Sequence, residues 1–160
     1  MTAARRGWTD GFTVAARIRE YALATVQGRS PTECEALRES ATSAVANLAH
    51  APKAVRSILE QRLAAVAAGT VNPDVAANEA ALRLLCIRAE LISGAPTPPE
   101  DVELRREYQM RRLVESMGHG ERVTPAALDD LALEWIAIGP VEPAVHDALL
   151  ARFERCRTAR

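Results

Sequence analysis

A chain of 160 residues with 48% hydrophobic and 26% charged side chains has the composition of a folded globular protein and lies outside the range of disordered chains. Its formal net charge of -1 excludes broad attraction to nucleic acid or to anionic membrane, so binding of either kind requires a local patch. One domain of this length buries roughly two-thirds of the surface its unfolded chain exposes, without metal or disulfide staples.

A capping residue followed directly by proline occurs at Ser30-Pro31, Asn72-Pro73, Thr97-Pro98 and Thr124-Pro125. Each pair reads as a helix start, because the cap side chain accepts from an orphan N–H and proline lacks the N–H that would otherwise be unpartnered. The expected class is all-α, with about seven helices packed as a bundle or as an array of helical hairpins. The first helix is predicted over 12–27 on the stripe Val14, Ile18, Tyr21 and Val26, ending at Gly28. Ser30-Pro31-Thr32-Glu33 reads as a capping box opening the second, through Leu37, Val45 and Leu48. Pro52 begins the third, with Val55, Ile58, Leu59, Leu63 and Val66 apolar, up to Gly69.

Asn72-Pro73 opens the fourth helix, apolar almost all round from Leu82 to Ile92, as befits a central helix, and closed by Gly94 in a left-handed position. Thr97-Pro98-Pro99-Glu100 reads as a second capping box leading into a charged helix from Pro99 to Met117, broken by Gly118-His119-Gly120. Thr124-Pro125 opens the sixth, through Leu128, Leu131, Leu133, Trp135 and Ile136 to Gly139-Pro140. The seventh starts near Pro143 and holds Val145, Leu149, Leu150 and Phe153. Residues 1–160 are expected to form a single helical domain.

Cys34, Cys86 and Cys156 are too few and too widely spaced for a disulfide framework or a zinc pattern, which points to a reducing, cytoplasmic setting. Met1 to Trp8 lacks the apolar stretch of a signal peptide, and no run approaches membrane-spanning length. His50, His119 and His146 are isolated from one another, and His146 and Asp147 are expected to point in different directions. No nucleophile motif, phosphate loop or metal-ligand spacing is present, so neither a catalytic residue nor a cofactor is expected. The first-turn acids Glu100-Asp101 and Asp129-Asp130 are explained by the helix dipole.

The strongest electrostatic candidate is the cluster Arg105, Arg111 and Arg112 on the charged helix, where Arg105 and Arg112 share a direction and guanidinium groups could bind phosphate bidentately. Arg106 falls instead among Val102, Met110, Leu113 and Met117, and would need a carboxylate if buried. Glu103, Glu107 and Glu115 on the same helix favour a solvated face of ion pairs. Arg88 and Glu90 lie on the nearly all-apolar fourth helix and read as a structural pair satisfied by neighbouring helices. Trp135 and Phe153 are expected to pack across the Gly139-Pro140 turn and pin its two arms.

The run Trp135-Ile136-Ala137-Ile138-Gly139-Pro140-Val141, followed by Leu149-Leu150-Ala151-Arg152-Phe153, resembles the end of a repeat in the bacterial "domain of unknown function 349" family. Leu150 stands where those repeats carry a second tryptophan. The upstream stretches Leu85 to Leu91, Pro98 to Asp101 and Leu104 to Leu113 are similar to the C-terminal region of long members. The resemblance covers 81–153, with a partial repeat at 128–156, and implies helices, no catalytic residues, and the C-terminal part of a longer protein.

Together these readings favour a non-enzymatic helical module that serves structure or protein interaction, its partner a protein or the rest of its own longer chain. The alternative is a nucleic-acid or ribosome-associated factor using Arg105, Arg111 and Arg112 with the basic tail Arg152, Arg155, Arg157 and Arg160. An apolar patch left exposed after the helices close would distinguish the first.

Overall fold

Among the described residues the regular structure is seven α-helices and one turn of 3₁₀ helix, with no strand. The computed structural model describes residues 2–116 and 126–158. The helices are α1 (Ala3–Val26), α2 (Pro31–Ala46), α3 (Lys53–Ala68), α4 (Val75–Ser93), α5 (Val102–Glu115), α6 (Ala126–Ala137) and α7 (Pro143–Thr158), with the 3₁₀ turn Pro99–Asp101 leading into α5. The fold is all-α, as the periodicity predicts. The expected break at Gly118-His119-Gly120, the Thr124-Pro125 start, Met117 and Arg160 lie outside the described residues.

The helix starts follow hydrogen-bond supply, and this corrects three expectations. Ser30 caps α2 as predicted, its Oγ accepting from the Glu33 N–H at 3.2 Å. Asn72 does not cap α4. Its Oδ1 accepts from the Asp74 N–H, and Asp74 is the cap, accepting from Ala77 N–H at 3.0 Å. Thr97 caps nothing: its hydroxyl donates to the buried Glu90 carboxylate at 2.6 Å, so α5 begins later than predicted. α1 begins at Ala3, nine residues before the expected Phe12, with Thr2 accepting from the Arg5 N–H.

Gly7 and Gly11 lower helix propensity, which is why the sequence pattern hides the first turns of α1. Close packing accounts for both. A Cβ on Gly7 would sit 2.2 Å from the carbonyl oxygen of His50, and one on Gly11 would sit 2.7 Å from Val55 Cγ1. The two glycines let α1 lie directly against the start of α3 and the connector before it.

α1 packs on α2 and α3, α4 packs on α6 and α7, and α1 and α3 meet α6. One continuous apolar cluster draws on α1, α2, α3, α4, α6 and α7 and includes nothing from α5. Trp135 and Phe153 are both fully buried in it, stacked with ring centroids 4.7 Å apart, so the expected pin across the α6–α7 turn is present. Phe12 of α1 meets Phe153 edge-on at 6.3 Å, and the Arg157 guanidinium lies 4.8 Å over the Trp8 ring. Gly139 and Pro140 are buried, and the Asn78 amide of α4 donates to the carbonyls of Asn72 and Pro140, 3.0 Å each, which fixes this turn against the central helix. None of the described helices is long and apolar enough to cross a membrane.

Trp135→Ala is expected to cost about 3–5 kcal/mol in urea denaturation, since it removes a fully buried indole and leaves a cavity beside Phe153. Gly7→Ala should cost about 1–3 kcal/mol in the same measurement, because the methyl meets backbone that cannot rotate away.

Candidate functional site

Two buried arginines and one outward-facing helix hold the chemistry of this chain. On α7, the positions Leu149, Arg152, Phe153 and Cys156 share one helical face, and all four are buried. A guanidinium there must find carboxylates. Arg152 donates to both oxygens of Glu90 on α4 and to Asp101 in the 3₁₀ turn. Burial works against its charge, but its hydrogen bonds to Glu90 and Asp101 together outweigh that and raise its pKa. Asp101 also accepts from Arg83, which pairs with Glu79 one turn earlier on α4. Asp101 is therefore a buried acceptor, more than the dipole-stabilising first-turn acid the sequence suggests, and Arg152 leaves the basic tail in which it was expected.

Glu90 carries the bonding onward. Its second oxygen accepts from Thr97, and Thr97 in turn accepts from Arg105 of α5 at 2.8 Å, while the same Arg105 nitrogen donates to the Ala95 carbonyl at 3.2 Å. Arg105, expected on an open phosphate-binding stripe, is instead half-buried and tied to the connector, because the carbonyls and hydroxyl of that turn need a donor. Arg88 and Glu90 are both satisfied by neighbouring helices, though by different ones: Arg88 forms a bidentate pair with Glu134 of α6, at 2.7 and 3.2 Å. Arg157 pairs with Asp129 and Glu154, so Asp129 also has a partner beyond the helix dipole.

α5 is held by this polar chain on one side only. At about 100° per residue, Leu104, Arg105, Tyr108, Arg112 and Ser116 fall on one side, and these are its half-buried positions. Val102, Arg106, Met110, Leu113 and Val114 fall on the other, within an arc of about 120°. That side is open: Leu113 is 63% and Val114 74% exposed, and α5 has no buried residue. Arg106 is accordingly exposed too and pairs with Glu103. Arg111 is also exposed, whereas Arg112 is half-buried, so the three candidate arginines do not form one stripe.

The second buried arginine went unnoticed in the sequence, although Ala15, Ile18, Arg19 and Ala22 are spaced as one buried face. Arg19 donates to the carbonyls of Trp135 and Ile138, covering the C-terminal end of α6, where a cation suits the helix dipole. Its third contact is Nε2 of His146 at 3.3 Å. The indole N–H of Trp135 also donates to that nitrogen, at 3.4 Å, and Nδ1 lies 3.3 Å from Asp147. These partners require the neutral tautomer with the proton on Nδ1, donating to Asp147. His146 thus contacts Asp147, although the two were expected to point in different directions. Burial and the Arg19 charge lower its pKa below 6.5.

Cys86 and Cys156 are buried free thiols. Desolvation pushes Cys86 up to about 12 and raises Cys156 as well, which keeps both protonated and poor as nucleophiles. Cys86 donates to the Leu149 carbonyl. No group of metal-binding side chains occurs among the described residues.

The chain matches no family model, no curated protein and no solved structure.

Arg152→Met should cost about 3–5 kcal/mol in urea denaturation, because Glu90 and Asp101 stay buried without their cation. Arg88→Met, at a half-exposed bridge, should cost less than about 1 kcal/mol. For His146, the unfolded chain binds more protons than the folded one between its lowered pKa and 6.5. Its contribution is therefore complete above about pH 6.5 and is lost as the pH falls. Unfolding free energies from urea melts between pH 7.5 and 5.5 should drop by up to about 1.4 kcal/mol per pH unit, and His146→Gln should flatten that slope.

Proposed function

We propose that this protein is a non-catalytic helical module that docks a protein surface, or another part of a longer chain, on the outward side of α5. The observation that carries the reading is the inversion of α5. Its half-buried side holds Arg105, Arg112 and Tyr108, while Met110, Leu113 and Val114 face outward. A contiguous exposed apolar patch on a charged helix is the usual mark of a protein contact. The Arg152–Glu90–Thr97–Arg105 chain supports the reading further, since it seats the helix before any partner arrives. A pre-positioned helix loses less entropy on binding.

The nucleic-acid alternative has less to draw on. Arg105 is engaged by the connector, Arg152 by two buried carboxylates and Arg157 by Asp129 and Glu154. The proposal does not depend on the resemblance of 81–153 to the domain of unknown function 349 repeats, which implies helices and no assigned chemistry.

A photoreactive amino acid at position 113, in cells that make the protein, should crosslink one discrete protein, and a probe at exposed Arg29 should not. The purified partner should bind the double variant Met110→Asp/Leu113→Asp at least tenfold more weakly, while the unfolding free energy in urea stays within about 0.5 kcal/mol of the parent. Equal binding by the variant overturns the proposal. Salt-sensitive RNA or DNA binding lost in Arg111→Ala/Arg112→Ala would transfer the function to nucleic acid.

A further inference from the structure

Arg19 is the unusual group in this protein, a buried guanidinium with no carboxylate partner among the described residues. Three of its five N–H donors are used, on Trp135, Ile138 and His146. It lines a cleft between α1, α3 and the end of α6 together with a second arginine, Arg62 of α3. Arg62 is half-buried and has neither a hydrogen bond nor an ion pair with any described residue. Two cations thus face one cleft with no carboxylate paired to either among the described residues. The rest of the lining is apolar, with Ala15, Ile18, Val66 and Ile138. The cleft holds about 10 Å³ of space, enough for one water-sized group.

We propose that this cleft binds a carboxylate on a short aliphatic stem, one oxygen directed at Arg19 and the other at Arg62, with the stem against the apolar wall. Charge-assisted donation from guanidinium groups suits a carboxylate, and an apolar wall favours an organic acid over a fully hydrated inorganic ion. The electrostatics agree. Burial and the charge of Arg62 lower the Arg19 pKa to about 9, and burial lowers that of Arg62, so a bound anion would relieve a repulsion already present.

The test titrates the intact protein with acetate, butyrate, chloride and phosphate at constant ionic strength, following the Arg19 and Arg62 Nε–Hε NMR signals and the thermal midpoint. Butyrate should give saturable shifts and a raised midpoint, acetate weaker ones, and chloride and phosphate no saturation. Arg62→Met retains the aliphatic stem and removes only a cation without a partner, so it should fold with an equal or higher midpoint and bind butyrate at least tenfold more weakly. Absence of saturation with butyrate, an equal response to chloride, or undiminished binding by Arg62→Met overturns the proposal. A protein carboxylate as the natural source is separated by a further arm: a short peptide ending in glutamate should compete with butyrate if a partner supplies the group, and fail to compete if a free acid does.

Discussion

The pairing of Arg152 with Glu90 and Asp101 is the constraint on which the C-terminal half of the molecule depends. A buried guanidinium is tolerated only where carboxylates meet it, and those carboxylates are tolerated only because it is there. Since the three residues come from α7, α4 and the 3₁₀ turn, satisfying them fixes three elements at once. An apolar trio of equal volume would hold these elements together but would not orient the turn. The carboxylates have lone pairs left over, and these recruit Thr97 and Arg83; through Thr97 the bonding reaches α5.

The two buried arginines show how the same side chain is accommodated by different means. Arg152 neutralises formal charge, and its pKa is raised as a result. Among the described residues Arg19 bonds to carbonyls and a neutral imidazole and to no carboxylate, and burial and the Arg62 charge lower its pKa. Carbonyls at a helix end supply partial negative charge, enough to orient a guanidinium but less than a carboxylate supplies. His146 must stay neutral for this arrangement to hold; burial and the Arg19 charge keep it so, while Asp147 fixes the tautomer by accepting from Nδ1. Trp135 adds its indole N–H to the same ring, which ties the polar cluster to the aromatic stack with Phe153.

Much of the fold was legible because apolar periodicity is local. The stripes of α3, α4 and α7, the Ser30 cap and the left-handed Gly28, Gly69 and Gly94 all follow from spacing and backbone preference. What was illegible depends on partners distant in sequence. Thr97 next to Pro98 reads as a cap until Glu90 claims its hydroxyl, and nothing local shows that Gly7 and Gly11 are there to admit the His50 carbonyl and Val55. For α5 the apolar residues were readable, but which side of the helix faces inward was decided by Arg105 and the turn it serves. Arg19 and Arg152 did carry a local signal, since each occupies a position that its own helix reserves for the core.

The aromatic contacts of α1 bear on the order of assembly. Phe12 rests on Phe153 and Trp8 lies beneath Arg157, so α1 is completed by α7. As the polypeptide leaves the ribosome, α1 can lean on α2 and α3, but part of its apolar face has no cover until α7 has been made. Contacts closing so long a loop form late and contribute to the slow part of folding. The nascent chain therefore carries an uncovered aromatic pair until α7 emerges, and the last two turns of that helix close the core.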